Sequence, residues 1–178
     1  FTNQELKLEA NVASSLQLNE KWSTVIMAHA SGDTKEHDGN DDGFKDEPKT
    51  LQLNFDNRWL YQAAPGGVQI RFGVKAFSDK RIGGQMGYKE GMNDHGVYEA
   101  VSKGIWGSEI HNSGIDGNFK LGIPLSNEGA ESLAFVATYS YYDMNTSYGT
   151  KYYKGHQNMA FVNAMYQNQI HENHRYTF

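Results

Sequence analysis

Thr50-Leu51-Gln52-Leu53-Asn54-Phe55-Asp56-Asn57-Arg58-Trp59-Leu60-Tyr61-Gln62-Ala63 separates polar from apolar side chains by a two-residue period. Thr50, Gln52, Asn54, Asp56 and Arg58 fall on even positions, and Leu51, Leu53, Phe55, Trp59 and Tyr61 on odd ones, with Asn57 the polar intruder. Side chains of a strand point alternately to opposite faces, so the segment is expected to have one wet face and one greasy face. The pattern recurs with Val68, Ile70, Phe72, Val74 and Ala76 against Gln69, Arg71, Gly73, Lys75 and Asp79. Near the start, Leu6, Leu8, Ala10, Val12 and Leu16 alternate with Glu5, Lys7, Glu9 and Asn11. Strands of soluble sheets usually run about 5 to 6 residues. Alternation over twice that length suits a tilted membrane-crossing strand, which needs roughly 9 to 11 residues.

Composition leaves that possibility open and closes others. The mean hydropathy of -0.68 and the lack of a long apolar run exclude a transmembrane helix, but a barrel strand shows lipid only every second residue. Aromatic residues make up 13% of the 178 residues, 11 of them Tyr, as expected if rings mark membrane interfaces. The prolines, Pro48, Pro65 and Pro124, stand at segment ends, where a missing ladder donor does least harm. With no cysteine there is no disulfide framework, thiol nucleophile or thiolate metal site. A net charge of -5 without a Lys/Arg cluster in the sequence argues against nucleic acid.

Turn residues and alternation together predict a meander with strands at 4–18, 22–33, 49–64, 68–81, 106–124, 132–144 and 156–170 and an eighth beginning near Arg175. Short turns are expected at Asn19-Glu20-Lys21, Pro65-Gly66-Gly67, Asn127-Glu128-Gly129-Ala130 and Glu172-Asn173. Long polar connections are expected from Thr34 to Pro48, Ile82 to Ile105 and Asn145 to Gly155. Short turns on one side and long loops on the other are the asymmetry of an outer-membrane barrel. The first strand would run down toward the periplasm and the last would start upward again. The expected fold is therefore all-β: residues 1–178 as an internal segment, about seven to eight strands, of a larger antiparallel up-and-down transmembrane β-barrel. Leu51, Leu53, Phe55, Trp59 and Tyr61 should share a lipid-facing surface with Val68, Ile70, Phe72 and Val74, while Gln52, Asn54, Asp56 and Arg58 face the lumen.

The motif with a chemical meaning is Asp38-Gly39-Asn40-Asp41-Asp42-Gly43-Phe44-Lys45-Asp46. Oxygen ligands at Asp38, Asn40 and Asp42, a bend at Gly43, the Phe44 carbonyl and Asp46 match the opening of a calcium loop. Position twelve is Lys49 and no helices flank the segment, so the helix-loop-helix form fails; Glu36, Asp41 or Glu47 would complete the shell. The alternative is a solvated acidic loop built of Asx turns. His171-Glu172-Asn173-His174 lacks the spacing of two ligands on one helical turn, and Gly83-Gly84-Gln85-Met86-Gly87 lacks the context of a phosphate loop. Tyr141, Tyr142, Tyr148, Tyr152 and Tyr153 are expected to form an interface girdle and to pack the third loop. No serine lies in a nucleophile motif, no catalytic residue is assigned, and enzymatic activity is not expected.

The meander, the Asp38-to-Asp46 loop followed by Pro48, and the segments Asn57-Arg58-Trp59, Arg71-Phe72-Gly73-Val74-Lys75 and His174-Arg175-Tyr176-Thr177-Phe178 resemble TonB-dependent outer-membrane transporters. The likeness is to cobalamin-receptor-like members from Bacteroidetes and covers the chain as barrel only. The resemblance implies a 22-stranded barrel in the outer membrane of a Gram-negative cell, filled by a plug domain that is not visible in this sequence. It implies active uptake of a large scarce nutrient, cobalamin ahead of a siderophore or haem. It also implies calcium at acidic outer loops, a part that Asp38, Asn40, Asp42 and Asp46 are placed to play. Expected partners are outer-membrane lipid, TonB through the plug, a small-molecule substrate and, optionally, a surface lipoprotein. Two competing expectations are a small closed eight-stranded barrel for adhesion or membrane integrity, and a soluble lipocalin-like barrel with its apolar face turned inward.

Overall fold

A computed structural model describes residues 7–93, 99–126, 131–171 and 174–178. The chain forms one antiparallel sheet of eight strands, each hydrogen-bonded to the next in sequence. The strands are β1 (Leu8–Gln17), β2 (Trp22–Asp33), β3 (Lys49–Gln62), β4 (Gln69–Gly84), β5 (Gly107–Pro124), β6 (Glu131–Tyr148), β7 (Lys151–His171) and β8 (His174–Thr177), with one short helix, α1 (Glu99–Ser102), before β5. No helix is long and apolar enough to cross a membrane, which says nothing about strands. Among the described residues β1 and β8 are the two edges of the sheet and do not pair with each other.

Turn chemistry sets the register. Asn19 Oδ1 accepts the backbone N–H groups of Lys21 and Trp22, both at 2.9 Å, closing the β1–β2 hairpin. Gly66 takes the positive φ of 71° that the β3–β4 turn requires. Val68, expected in the fourth strand, belongs to that turn, where its carbonyl accepts the Ala63 N–H at 3.0 Å. The third long connection is a correction: β6 runs on to Tyr148 and β7 begins at Lys151, leaving only Gly149 and Thr150 between them. The polar run there reads like a loop, yet Asn145, Thr146 and Ser147 pair with Lys154, Tyr153 and Tyr152, and Gly149 turns the chain at φ 56°. The tyrosines of that region consequently alternate between faces; Tyr148 and Tyr153 meet edge to face at 6.4 Å. The Asn127–Ala130 turn and Glu172-Asn173 lie outside the described residues.

Directly paired residues share a face, so register divides the sheet into two surfaces. On one, Leu53, Phe55, Trp59 and Tyr61 of β3 lie beside Ala30, Ala28, Thr24 and Trp22 of β2. Phe72 and Ile70 of β4 lie beside Trp59 and Tyr61 on one side and beside Phe119 and Leu121 of β5 on the other. The surface continues through Phe135, Ala137, Tyr139 and Tyr141 of β6 to Ala164, Val162 and Ala160 of β7. Toward the long connections it turns polar, at Ser113, His111 and Glu109 of β5 and Asp143, Asn145 and Ser147 of β6. From Leu133 to Tyr141 the apolar stretch covers about 27 Å of strand, or about 20 Å of height at a barrel tilt, close to the roughly 25 Å lipid-facing band of such barrels.

Exposure on this face is inverted relative to a soluble core. Leu51, Leu53 and Phe55 are 50%, 47% and 45% exposed, while the polar Gln52, Asn54 and Asp56 between them are half-buried. Polar atoms within the band are satisfied locally. Asn57, the intruder, accepts Trp59 Nε1–H at 2.6 Å and donates to Thr24 Oγ1 at 2.9 Å and the Val25 carbonyl at 3.1 Å, and Thr24 Oγ1 donates to the Arg58 carbonyl at 3.0 Å. No apolar surroundings tolerate such groups unpaired. At the short-turn end Trp22, Trp59, Tyr61 and Phe72 pack as an aromatic group, Trp22 and Tyr61 at 4.9 Å between centroids and Trp59 stacked on Phe72 at 6.1 Å.

Candidate functional site

The buried apolar side chains among the described residues, Ile82, Tyr88, Met92 and Ala100, gather at the opposite end, where the segment between β4 and β5 folds back over the strands. Tyr88 is fully buried and lies flat on Gly107, whose added Cβ would stand 2.2 Å from the ring. Its hydroxyl donates to Glu109 Oε1 at 2.7 Å, and the Gly91 N–H donates to the same oxygen at 2.8 Å. Burial, then the Glu109 hydrogen bond and charge, push the Tyr88 phenol well above its ordinary value, so it stays a donor.

The acidic loop is tied to this cluster. Phe44 and Gln85 form an isolated antiparallel bridge, with Lys45 N–H donating to the Gly84 carbonyl at 2.9 Å and Met86 N–H to the Gly43 carbonyl at 2.8 Å. The Lys45 side chain is wholly buried, and its Nζ donates to the Tyr88 carbonyl at 2.8 Å and the Gln85 carbonyl at 3.1 Å, with Glu36 at 3.8 Å. Desolvation lowers the Lys45 ammonium from its usual range, and the neighbouring Glu36 works in the opposite direction. For Glu36 itself burial acts upward, yet the Lys49 hydrogen bond and the Lys45 charge hold its carboxyl below its ordinary value.

Within the loop, three of the five expected calcium ligands join one network. Asp38 accepts the Asp42 N–H at 3.1 Å and the Gly43 N–H at 2.8 Å; Asp42 accepts the Phe44 N–H at 2.8 Å and the Asn40 side-chain amide at 3.1 Å. Asp46 turns elsewhere, accepting the Gly39 N–H at 2.8 Å beside His37. Phe44 contributes its backbone to the bridge with Gln85. The donor set has the hard oxygen character that Ca2+ prefers. Its carboxylates, however, are aimed at the loop's own N–H groups, and among the described residues no three acidic or histidine side chains converge as a metal-holding group. The repulsion between Asp38 and Asp42 is offset here by backbone donors. Asp38→Ala removes two such bonds and is expected to destabilise the local turn by about 1 kcal/mol. The measurable result is hydrogen exchange several-fold faster at the Asp42 and Gly43 amides, with the amides of β3 unchanged.

Lys45, Tyr88, Gly107 and Glu109 carry no periodic signal in the sequence, since they meet only when two separate connections fold onto β5. Beside them a cavity of about 180 Å³ is bounded by Glu90, Asn93, Glu109 and His111. Asn93 Nδ2 donates to the Gly107 carbonyl at 3.1 Å, while Asn93 Oδ1 and His111 Nε2 are buried without a hydrogen-bond partner among the described residues, His111 Nε2 standing 3.9 Å from Glu109 Oε2 and 4.0 Å from Glu90 Oε1. Comparison with protein-family models, curated proteins and solved structures finds no match for this chain.

Proposed function

We propose that this chain forms part of the wall of an outer-membrane β-barrel that takes up a large scarce nutrient, as TonB-dependent transporters do, with cobalamin ahead of a siderophore or haem. The observation that carries the membrane assignment is the inverted exposure along β3, where Leu51, Leu53 and Phe55 are open while alternate polar residues are half-buried. It is supported by strands of up to 21 residues, by the closed Asn57 network on the apolar face, and by the aromatic group at the short-turn end. A free sheet edge is not tolerated in hydrocarbon, so β1 and β8 require further strands, from the same polypeptide or another, to complete a barrel. The transporter assignment rests on the sequence resemblance; the latched connections lie at the end opposite the short turns, against the surface that carries Gly107 and Glu109. There the Asp38, Asn40, Asp42, Phe44 and Asp46 loop would take Ca2+ only by releasing its own N–H groups. Repeating the exchange measurement with calcium tests this: faster exchange of the Asp42 and Gly43 amides, released from Asp38, supports the ion, and unchanged rates count against it.

Single-tryptophan versions of the intact protein in bilayers with brominated acyl chains test the membrane assignment. Trp22 and Trp59 fluorescence is expected to be strongly quenched and Trp106 fluorescence to be spared. Equal quenching at all three would refute it. Uptake of cobalamin, set against a siderophore and haem, by cells producing the intact protein distinguishes the substrates.

A further inference from the structure

The surface opposite the apolar band carries an arrangement that neither the sheet nor the transport assignment explains. Arg71 of β4 and Lys120 of β5 are direct cross-strand partners on this polar face. Like charges placed opposite each other destabilise a sheet. Their neighbours in the same row, Leu60 on β3 and Val136 on β6, are uncharged. Among the described residues neither cation has an acidic partner. Two rows away the same strands use opposite charges in register, Asp56 beside Lys75 and Lys75 beside Asp116. Arg58 is likewise spent on Asp56, with Nη2 at 2.7 Å and Nε at 2.9 Å. Between these rows Gly73 leaves a gap, and Asn118 reaches it with Nδ2 at 3.4 Å from the Gly73 carbonyl. A cavity of about 660 Å³ opens over these side chains.

We propose that Arg71 and Lys120, with the Asn118 amide, form a binding site for an oxyanion, the phosphate or carboxylate group of a soluble small molecule. Arginine offers a planar fork that matches either group, lysine adds a mobile point charge, and an anion between them converts repulsion into two charge-assisted contacts. The inference is independent of the nutrient carried.

Calorimetry on the intact protein, with inorganic phosphate and citrate as separate probes, tests it. Wild-type protein is expected to bind at least one of them, and more weakly as salt is raised. Arg71→Gln combined with Lys120→Gln should lower affinity at least about tenfold, the loss expected for two charged hydrogen bonds. Lys151→Gln, a cation on the same face at the far end of the sheet, should leave affinity within about twofold. Lys120→Glu guards against misfolding: it supplies Arg71 with a cross-strand partner, so the protein should fold with an undiminished thermal midpoint and bind neither probe. No binding to wild type, or unchanged affinity in the double variant or in Lys120→Glu, would overturn the proposal.

Discussion

Phe55→Arg is expected to destabilise the bilayer-inserted protein by about 2 to 4 kcal/mol, the cost of a guanidinium near the membrane midplane of a barrel. Phe55 pairs with Ala28 and Ala76, in the middle of the apolar surface. Small side chains on both sides leave its ring 45% exposed, and its two direct cross-strand neighbours, both alanines, offer no group to shelter the charge. Arginine one residue earlier, at Asn54, points to the polar face beside His29 and should change stability by no more than about 0.5 kcal/mol. Reversible urea unfolding in vesicles reads both. The comparison matters more than either value, because two adjacent residues of one strand share its backbone and nearly its depth and present opposite faces. Equal costs would mean that no lipid touches the odd positions.

Gly107→Ala is the second large effect. The added Cβ would overlap Tyr88 Cγ, Cδ1 and Cδ2 at 2.2 to 2.4 Å, contacts that a flexible side chain can escape but a fully buried ring cannot. Overpacking of this kind costs about 1 to 3 kcal/mol. Here the strands can stay paired while Tyr88 is expelled, so the expected result is local. The Glu109 hydrogen bonds to Tyr88 and Gly91 are lost, Lys45 loses the Tyr88 carbonyl, and the acidic loop comes free of β4 and β5. Amide exchange should accelerate at Lys45, Tyr88, Gly91 and Met92 together while β6 and β7 remain protected. Tyr88→Ala should produce the same pattern by removing the ring itself, at about 3 kcal/mol or more. If only the residues around Gly107 respond, the two connections are not coupled through Tyr88.

How much was legible before the structure depended on whether a feature was local in sequence. Leu51 to Tyr61, apart from Asn57 and Leu60, and Ile70 to Val74 alternate, and a period of two has only one geometrical realisation; their shared face follows from a hairpin whose turn is marked by Pro65-Gly66-Gly67. Residues 145–155 misled because polarity was read as irregularity. Asn145 to Tyr148 and Lys151 to Lys154 lie beyond the apolar stretch of their strands and carry mostly polar side chains, yet their backbones pair like any others. In the acidic loop the density of oxygens was visible, but which donors they face was not. Whether a carboxylate meets a cation or an N–H depends on φ and ψ, and Asp41 at φ 56° and Gly43 at φ 82° bend the backbone so that its N–H groups point inward.

The sequence by itself determined the class of structure: long antiparallel strands, one polar and one apolar face, and turns at Asn19 and Gly66, because side-chain alternation and turn preference act over a few bonds. Only the tertiary structure decided what sits opposite what. Asn57 is harmless on the apolar face because Thr24 and Trp59 close around it. Lys45 is buried because Glu36 and the Tyr88 carbonyl arrive from either side. Arg71 and Lys120 confront each other because β4 and β5 pair in one register and no other. Each of these facts joins residues tens of positions apart, and the energy that selects them comes from burial, charge and hydrogen bonding in three dimensions, none of which leaves a period in the chain.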